Sequence, residues 1–155
     1  MRNVLVVEDD ENKRSQVLTF LCERFPAFQT ITASSLQTGL RAVKSGTTDL
    51  VILDMTLPNY DQGPEEDGGT IHPLGGQEFL RKMKRARVVV PVIVLTQFET
   101  FGTGSDRLDL ETLRISLREK YAEQCIDTIF YSSAVDTWKR QLQQAIELVM
   151  ERDLR

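Results

Sequence analysis

Glu8, Asp9 and Asp10 stand together after a short apolar run, and Asp54 ends a second such run, Leu50–Leu53. If the two runs are neighbouring strands, Glu8, Asp9 and Asp54 converge in one pocket. Carboxylates at close range repel one another unless a cation neutralises them. A hard divalent ion with oxygen ligands answers that need, and magnesium usually keeps waters and bridges to a phosphoryl oxygen. A carboxylate held in that setting can attack phosphorus and form an acyl phosphate. Thr96 ends a third apolar run and places a hydroxyl where it can bond a phosphoryl oxygen. Acids at strand ends also cap the helix that follows, and Asp9 or Asp10 suits that role.

The elements that must position these groups follow from pattern. Residues 4–7 form an unbroken β-branched and apolar run, as expected of a strand buried on both faces. An amphipathic helix carrying Val17, Leu18, Leu21 and Phe25 comes next, closed near Pro26. Residues 29–33 read as a second strand, less apolar and so nearer an edge. Ser34 or Ser35 caps a helix with Leu36, Leu40 and Val43, stopped by Gly46. After residues 50–53, a polar loop at about 58–76 leads to a helix with Phe79, Leu80 and Met83. Residues 88–95 are the fourth strand, with Pro91 early in it. Residues 108–125 are helical in pattern, 126–131 form a fifth strand and 135–150 a final helix.

A strand–helix pair repeated five times places the chain in the α/β class, with a parallel sheet covered on both faces. The expected architecture is a flavodoxin-like (βα)5 doubly wound sheet, strand order 2-1-3-4-5, in a single domain spanning 1–155. Functional groups in such sheets gather beyond the carboxyl ends of the strands, at the switch between the first and third. Both acid-ended runs fall there.

A length of 155 residues with 41% apolar and 27% charged residues is ordinary for a soluble globular protein. A net charge of -4 argues against nucleic-acid binding, which usually needs a basic patch. No signal peptide and no apolar stretch of about 20 residues is present, so a cytoplasmic protein away from membranes is expected. Cys22 and Cys125 lack metal-site spacing and read as free thiols. Neither a GxxxxGK[ST] phosphate loop nor a GxSxG elbow occurs.

The strings VLVVEDDE, LVILDMTLP and VPVIVLT, in that order, resemble the first, third and fourth strands of response-regulator receiver domains. The resemblance covers most of the chain. It implies a signalling domain and not a conventional enzyme, with Asp54 as phosphoacceptor. It implies that Glu8, Asp9, Asp54 and the backbone carbonyl of Thr56 bind Mg2+, and that Thr96 is the switch hydroxyl. The implied partners are a histidine kinase or phosphotransfer protein and a downstream protein. A homodimer is also among them, since receivers often pair through their last helix–strand–helix face. With no output domain after the final helix, output by protein contact is expected.

The chain departs from that family in three places. Tyr131 and Ser132 stand where receivers carry a lysine and a proline at the end of the fifth strand. Tyr131, by a neutral hydrogen bond, or Arg14, early in the first helix, are the residues that could replace that lysine. Thr128 stands where an aromatic usually partners the switch threonine. The 58–76 loop, which holds the lone His72, is about a dozen residues longer than the family habit. The missing lysine leaves a pseudo-receiver, a phosphorylation-independent interaction module, as the alternative. Haloacid-dehalogenase-like phosphatases want an acid where this chain has Thr56, and a flavodoxin-like electron carrier would not carry EDDE in its phosphate loop.

Overall fold

The computed structural model describes residues 2–58, 71–72, 75–97, 100–101 and 108–153. Its strands are β1 (Asn3–Val7), β2 (Gln29–Ala33), β3 (Leu50–Leu53), β4 (Leu57–Pro58), β5 (Ile71–His72), β6 (Val92–Thr96), β7 (Thr100–Phe101), β8 (Leu108–Asp109) and β9 (Cys125–Phe130). The helices are α1 (Glu11–Arg24), α2 (Leu36–Lys44), α3 (Gly75–Arg85), α4 (Leu110–Lys120) and α5 (Thr137–Asp153).

Five strands form one sheet in the order β2-β1-β3-β6-β9, all paired in parallel. Counting only these strands, that is the expected order 2-1-3-4-5. The apolar runs β1, β3 and β6 take the three central places, where both faces of a strand are covered. β2, with four of its five residues exposed, lies at an edge.

Alternation along each strand divides the core in two. Leu5, Val7, Val51, Leu53, Val92 and Val94 face α2, α3 and α4, meeting Leu40, Phe79, Met83 and Leu117. Val4, Val6, Ile52, Ile93, Leu95 and Ile129 face α1 and α5, meeting Val17, Phe20, Leu21, Trp138 and Ile146. Helices therefore cover both sides of the sheet, as the doubly wound reading requires.

Several boundaries differ from the sequence pattern, among them the final helix, expected over 135–150 and found as Thr137–Asp153. The helix expected over 108–125 is α4 alone, and Tyr121 caps it, its N–H bonding the Leu117 carbonyl. The chain then turns, with Cys125 N–H bonding the Tyr121 carbonyl, so that Cys125 begins β9. The strand expected from residue 88 begins only at Val92; residues 88–91 lead into it, with the Pro91 carbonyl already accepting from Val51 N–H of β3 at 2.9 Å. The 58–76 loop is bounded by a short antiparallel pair, Leu57 against His72 and Pro58 against Ile71. Residues 59–70 of it lie outside the described residues. No helix of the described residues is long and apolar enough to cross a membrane.

Candidate functional site

Parallel register sets the site. Val7 pairs with Ala33 on one side and Leu53 on the other, so β1 and β3 end level with each other. Asp54 N–H bonds the Val7 carbonyl at 3.0 Å and Glu8 N–H bonds the Ala33 carbonyl at 2.9 Å. The acids that follow the two strands are thus drawn together at the carboxyl edge. Glu8, Asp9 and Asp54 each bring a carboxylate oxygen to within 4.8 Å of the others. Glu8 and Asp54 are buried and Asp9 is exposed.

Asp10, and not Asp9, caps α1, accepting from the N–H groups of Asn12 and Lys13. Asp9 is therefore left to face the pocket. Ser35 caps α2 in the same way, its hydroxyl accepting from Thr38 N–H at 3.2 Å.

On the other side of the site, Gly76 N–H bonds the Met55 carbonyl at 2.8 Å and brings the start of α3 against residues 54 and 55. A Cβ at Gly76 would stand 2.6 Å from the Asp54 carbonyl oxygen and 2.8 Å from Met55 Cα. Both are backbone atoms, which cannot swing aside. Gly76→Ala is expected to destabilise the protein by about 1–3 kcal/mol through overpacking, measurable as a lowered urea midpoint.

The pocket contains a cation that sequence reasoning missed. Lys13, on the first turn of α1, is 2% exposed. Its Nζ lies 2.5 Å from Glu8 Oε1 and 3.1 Å from Asp54 Oδ1. It also donates to the Leu95 carbonyl at 2.5 Å, so its three protons have three acceptors. Arg14 does not fill this place: its guanidinium bonds the Glu8 carbonyl at 3.1 Å and approaches Ser34 Oγ at 3.4 Å. The helical stripe could have revealed Lys13, since it lies four residues before Val17 and seven before Phe20, on the buried face of α1.

Burial works against the Lys13 charge, but Asp54 and Glu8 together outweigh it and hold the ammonium above the ordinary lysine range. Burial pushes the Glu8 carboxyl up to about 8, with Lys13 opposing and Asp54 adding to the rise. Asp9 is raised by partial burial and then by the charge of Asp54. Glu8 and Asp9 thus both resist carrying charge in this pocket. An additional oxygen-seeking cation would relieve that resistance, so the donor set fits a magnesium ion.

Thr96 ends β6 and is fully buried at 0% exposure, and its Oγ1 has no partner among the described residues. Tyr131 follows β9, its N–H bonding the Thr96 carbonyl at 2.8 Å. Its phenol is buried too, with an OH lacking a partner among the described residues. The Tyr131 ring centroid lies 5.6 Å from Lys13 Nζ. A buried hydroxyl without a partner costs about 1–3 kcal/mol, so both mark places where a polar ligand would be welcome. Thr128, at the usual aromatic place, is buried and pairs with Val94, while Phe130 pairs with Thr96. Thr56, half-buried, follows Asp54 by two residues and precedes β4.

Residues 4–114 match the family described as response regulator receiver domain. An uncharacterised protein y4jR of Sinorhizobium fredii is 33% identical over 144 residues, covering 91% of this chain and 94% of its own. The Detocs response regulatory protein DtcB of Enterobacter cloacae is 28% identical over 141 residues, covering 90% and 94%. Among solved structures, the response regulator TrrA of Thermotoga maritima, in complex with Mg(2+)-BeF, has the same fold with a TM-score of 0.59. It is 21% identical and the match covers 94% of this chain and 99% of that one.

Proposed function

The chain belongs to the response regulator receiver domain family, and on that premise we propose that it accepts a phosphoryl group on Asp54 and signals by protein contact. Receiver domains in general interact with histidine kinases or phosphotransfer proteins, and one of these is the donor in this reading. The carrying observation is the setting of Asp54. Its Oδ1 is held by Met55 N–H at 2.8 Å and by Lys13 Nζ at 3.1 Å. Oδ2 carries no bond to the described residues and is the oxygen left to attack phosphorus.

In the transfer, Asp54 Oδ2 forms a bond to the donor's phosphorus as the phosphorus–donor bond breaks. The electron pair of that bond stays with the leaving group, which takes up a proton from water. Hydrolysis reverses the charge: water attacks phosphorus, the bond to Asp54 breaks, and the free carboxylate returns with inorganic phosphate. Glu8, Asp9, Asp54 and the Thr56 carbonyl would hold Mg2+, which when bound neutralises the phosphoryl oxygens. The magnesium–beryllofluoride complex of the TrrA relative supports that expectation. Thr96, with its unpartnered Oγ1, is the hydroxyl that would turn to a phosphoryl oxygen. The added negative charge would then bias the surface around β6 and β9.

Incubation with acetyl phosphate and magnesium tests the reading by intact mass. One phosphoryl group should be added, and none without magnesium or in Asp54→Asn. Tyr131 in the lysine's place favours the second reading, a pseudo-receiver that binds its partner without phosphorylation. An unlabelled protein beside a labelled control receiver would decide for it.

A further inference from the structure

Receivers carry a lysine where this chain has Tyr131, yet the pocket does not lack an ammonium. Lys13 brings one in from α1, and several observations tie it to the vacated role. Positions 13 and 131 lie on the same side of the sheet: the stem of Lys13 shares its helix face with Val17 and Phe20. Tyr131 packs among those same residues and Trp138. The Tyr131 ring, with its centroid 5.6 Å from Lys13 Nζ, fills the space beside the amine. A lysine entering from the end of β9 would need to share that space.

The contacts of Lys13 match what a phosphoryl-binding cation needs before transfer. It touches the acceptor carboxylate at 3.1 Å, and the Leu95 carbonyl fixes it next to Thr96. Two residues at the ends of the neighbouring strands, Thr96 and Tyr131, carry buried hydroxyls without partners among the described residues.

We propose that Lys13 is the cation that contacts the phosphoryl group on Asp54, supplied from helix α1 in place of the lysine that receivers carry at the end of the fifth strand. The inference rests on Asp54 being the phosphoacceptor. On transfer, Lys13 exchanges its bond to Asp54 Oδ1 for one to a phosphoryl oxygen, a charge-assisted bond of the stronger kind. Tyr131 is the packing partner that keeps the displaced lysine's place closed.

The test compares wild type, Lys13→Met and the double variant Lys13→Met with Tyr131→Lys. Labelling by acetyl phosphate is followed by intact mass, and magnesium binding by the fluorescence of Trp138, which lies 5.0 Å from the Tyr131 ring. Lys13→Met is expected to label about a hundredfold more slowly, as when a single donor to a developing anion is removed. It should bind magnesium more tightly, by roughly tenfold, because a positive charge has left the pocket. The double variant returns the ammonium from the β9 side and should regain most of the labelling rate, even if the single variant folds poorly.

Labelling of Lys13→Met at the wild-type rate would overturn this inference alone. So would joint loss of labelling and magnesium binding in Lys13→Met with no recovery in the double variant, which marks a purely structural lysine. A wild type that takes no label beside a labelled control receiver would remove the phosphoacceptor reading, and this inference with it.

Discussion

Lys13→Met is expected to destabilise the metal-free protein by about 3–5 kcal/mol, the loss typical when one partner of a buried ion pair is removed. The size follows from burial on both sides: Lys13 is 2% exposed, and the side chains of Glu8 and Asp54 are 4% and 5% exposed. Without the ammonium, two carboxyl groups share a dry pocket. They can escape the cost only by taking up protons, and that gives the loss a pH dependence of definite sign. The Glu8 carboxyl is raised from an ordinary 4.5 to about 8 in the fold, chiefly by burial. The folded protein therefore holds this proton more tightly than the unfolded chain does. Stability drawn from neutral Glu8 is full below about 4.5 and is lost as pH rises through about 8. Lys13 opposes the rise, so its removal pushes Glu8 further up and makes the charged form costlier. Urea unfolding in a chelator should then show a larger Lys13→Met deficit on the alkaline side of neutrality than on the acid side. An equal deficit at both would mean that Glu8 is not the group that answers for Lys13.

Asp9→Asn is expected to weaken magnesium binding by about 10–100-fold while leaving the metal-free fold intact, if Asp9 matters at least as much as the outer partners of metal ligands. Asp9 offers an oxygen to the cluster but is exposed, and Asp10, not Asp9, caps α1. Its carboxyl is also repelled by Asp54, so losing the charge should not harm the free protein. Titration followed by Trp138 fluorescence, beside a urea curve in chelator, separates the two effects. A falling midpoint with unchanged magnesium affinity would place Asp9 in the scaffold and not among the ligands.

The sheet was legible because its three central strands are unbroken apolar runs, and residues buried on both faces have no polar alternation to blur them. The meeting of Glu8, Asp9 and Asp54 followed from strand order alone, since β1 and β3 are neighbours that end level. The failures lie where one residue type serves two environments. Lys13 sits in the string Glu11-Asn12-Lys13-Arg14, which reads as a solvated first turn. A long aliphatic stem lets its charge travel inward from the buried stripe of α1, and only the pocket's acids make that burial tolerable. Arg14, one position along, points instead to the Glu8 carbonyl and Ser34. The end of α4 is hidden in the sequence because Tyr121 and Cys125 are apolar enough to continue a helical pattern. Their burial belongs to the cap of one element and the start of the next.

The role of Asp54 is tested most directly by reducing the protein with borohydride after treatment with acetyl phosphate and magnesium, then mapping its peptides. Borohydride converts an aspartyl phosphate to homoserine, so the residue that carried the phosphoryl group is read from the mass of one peptide. Homoserine at position 54 and at no other aspartate is the predicted result. Homoserine at position 9 or 10, or none at all beside a control receiver that is converted, would contradict it.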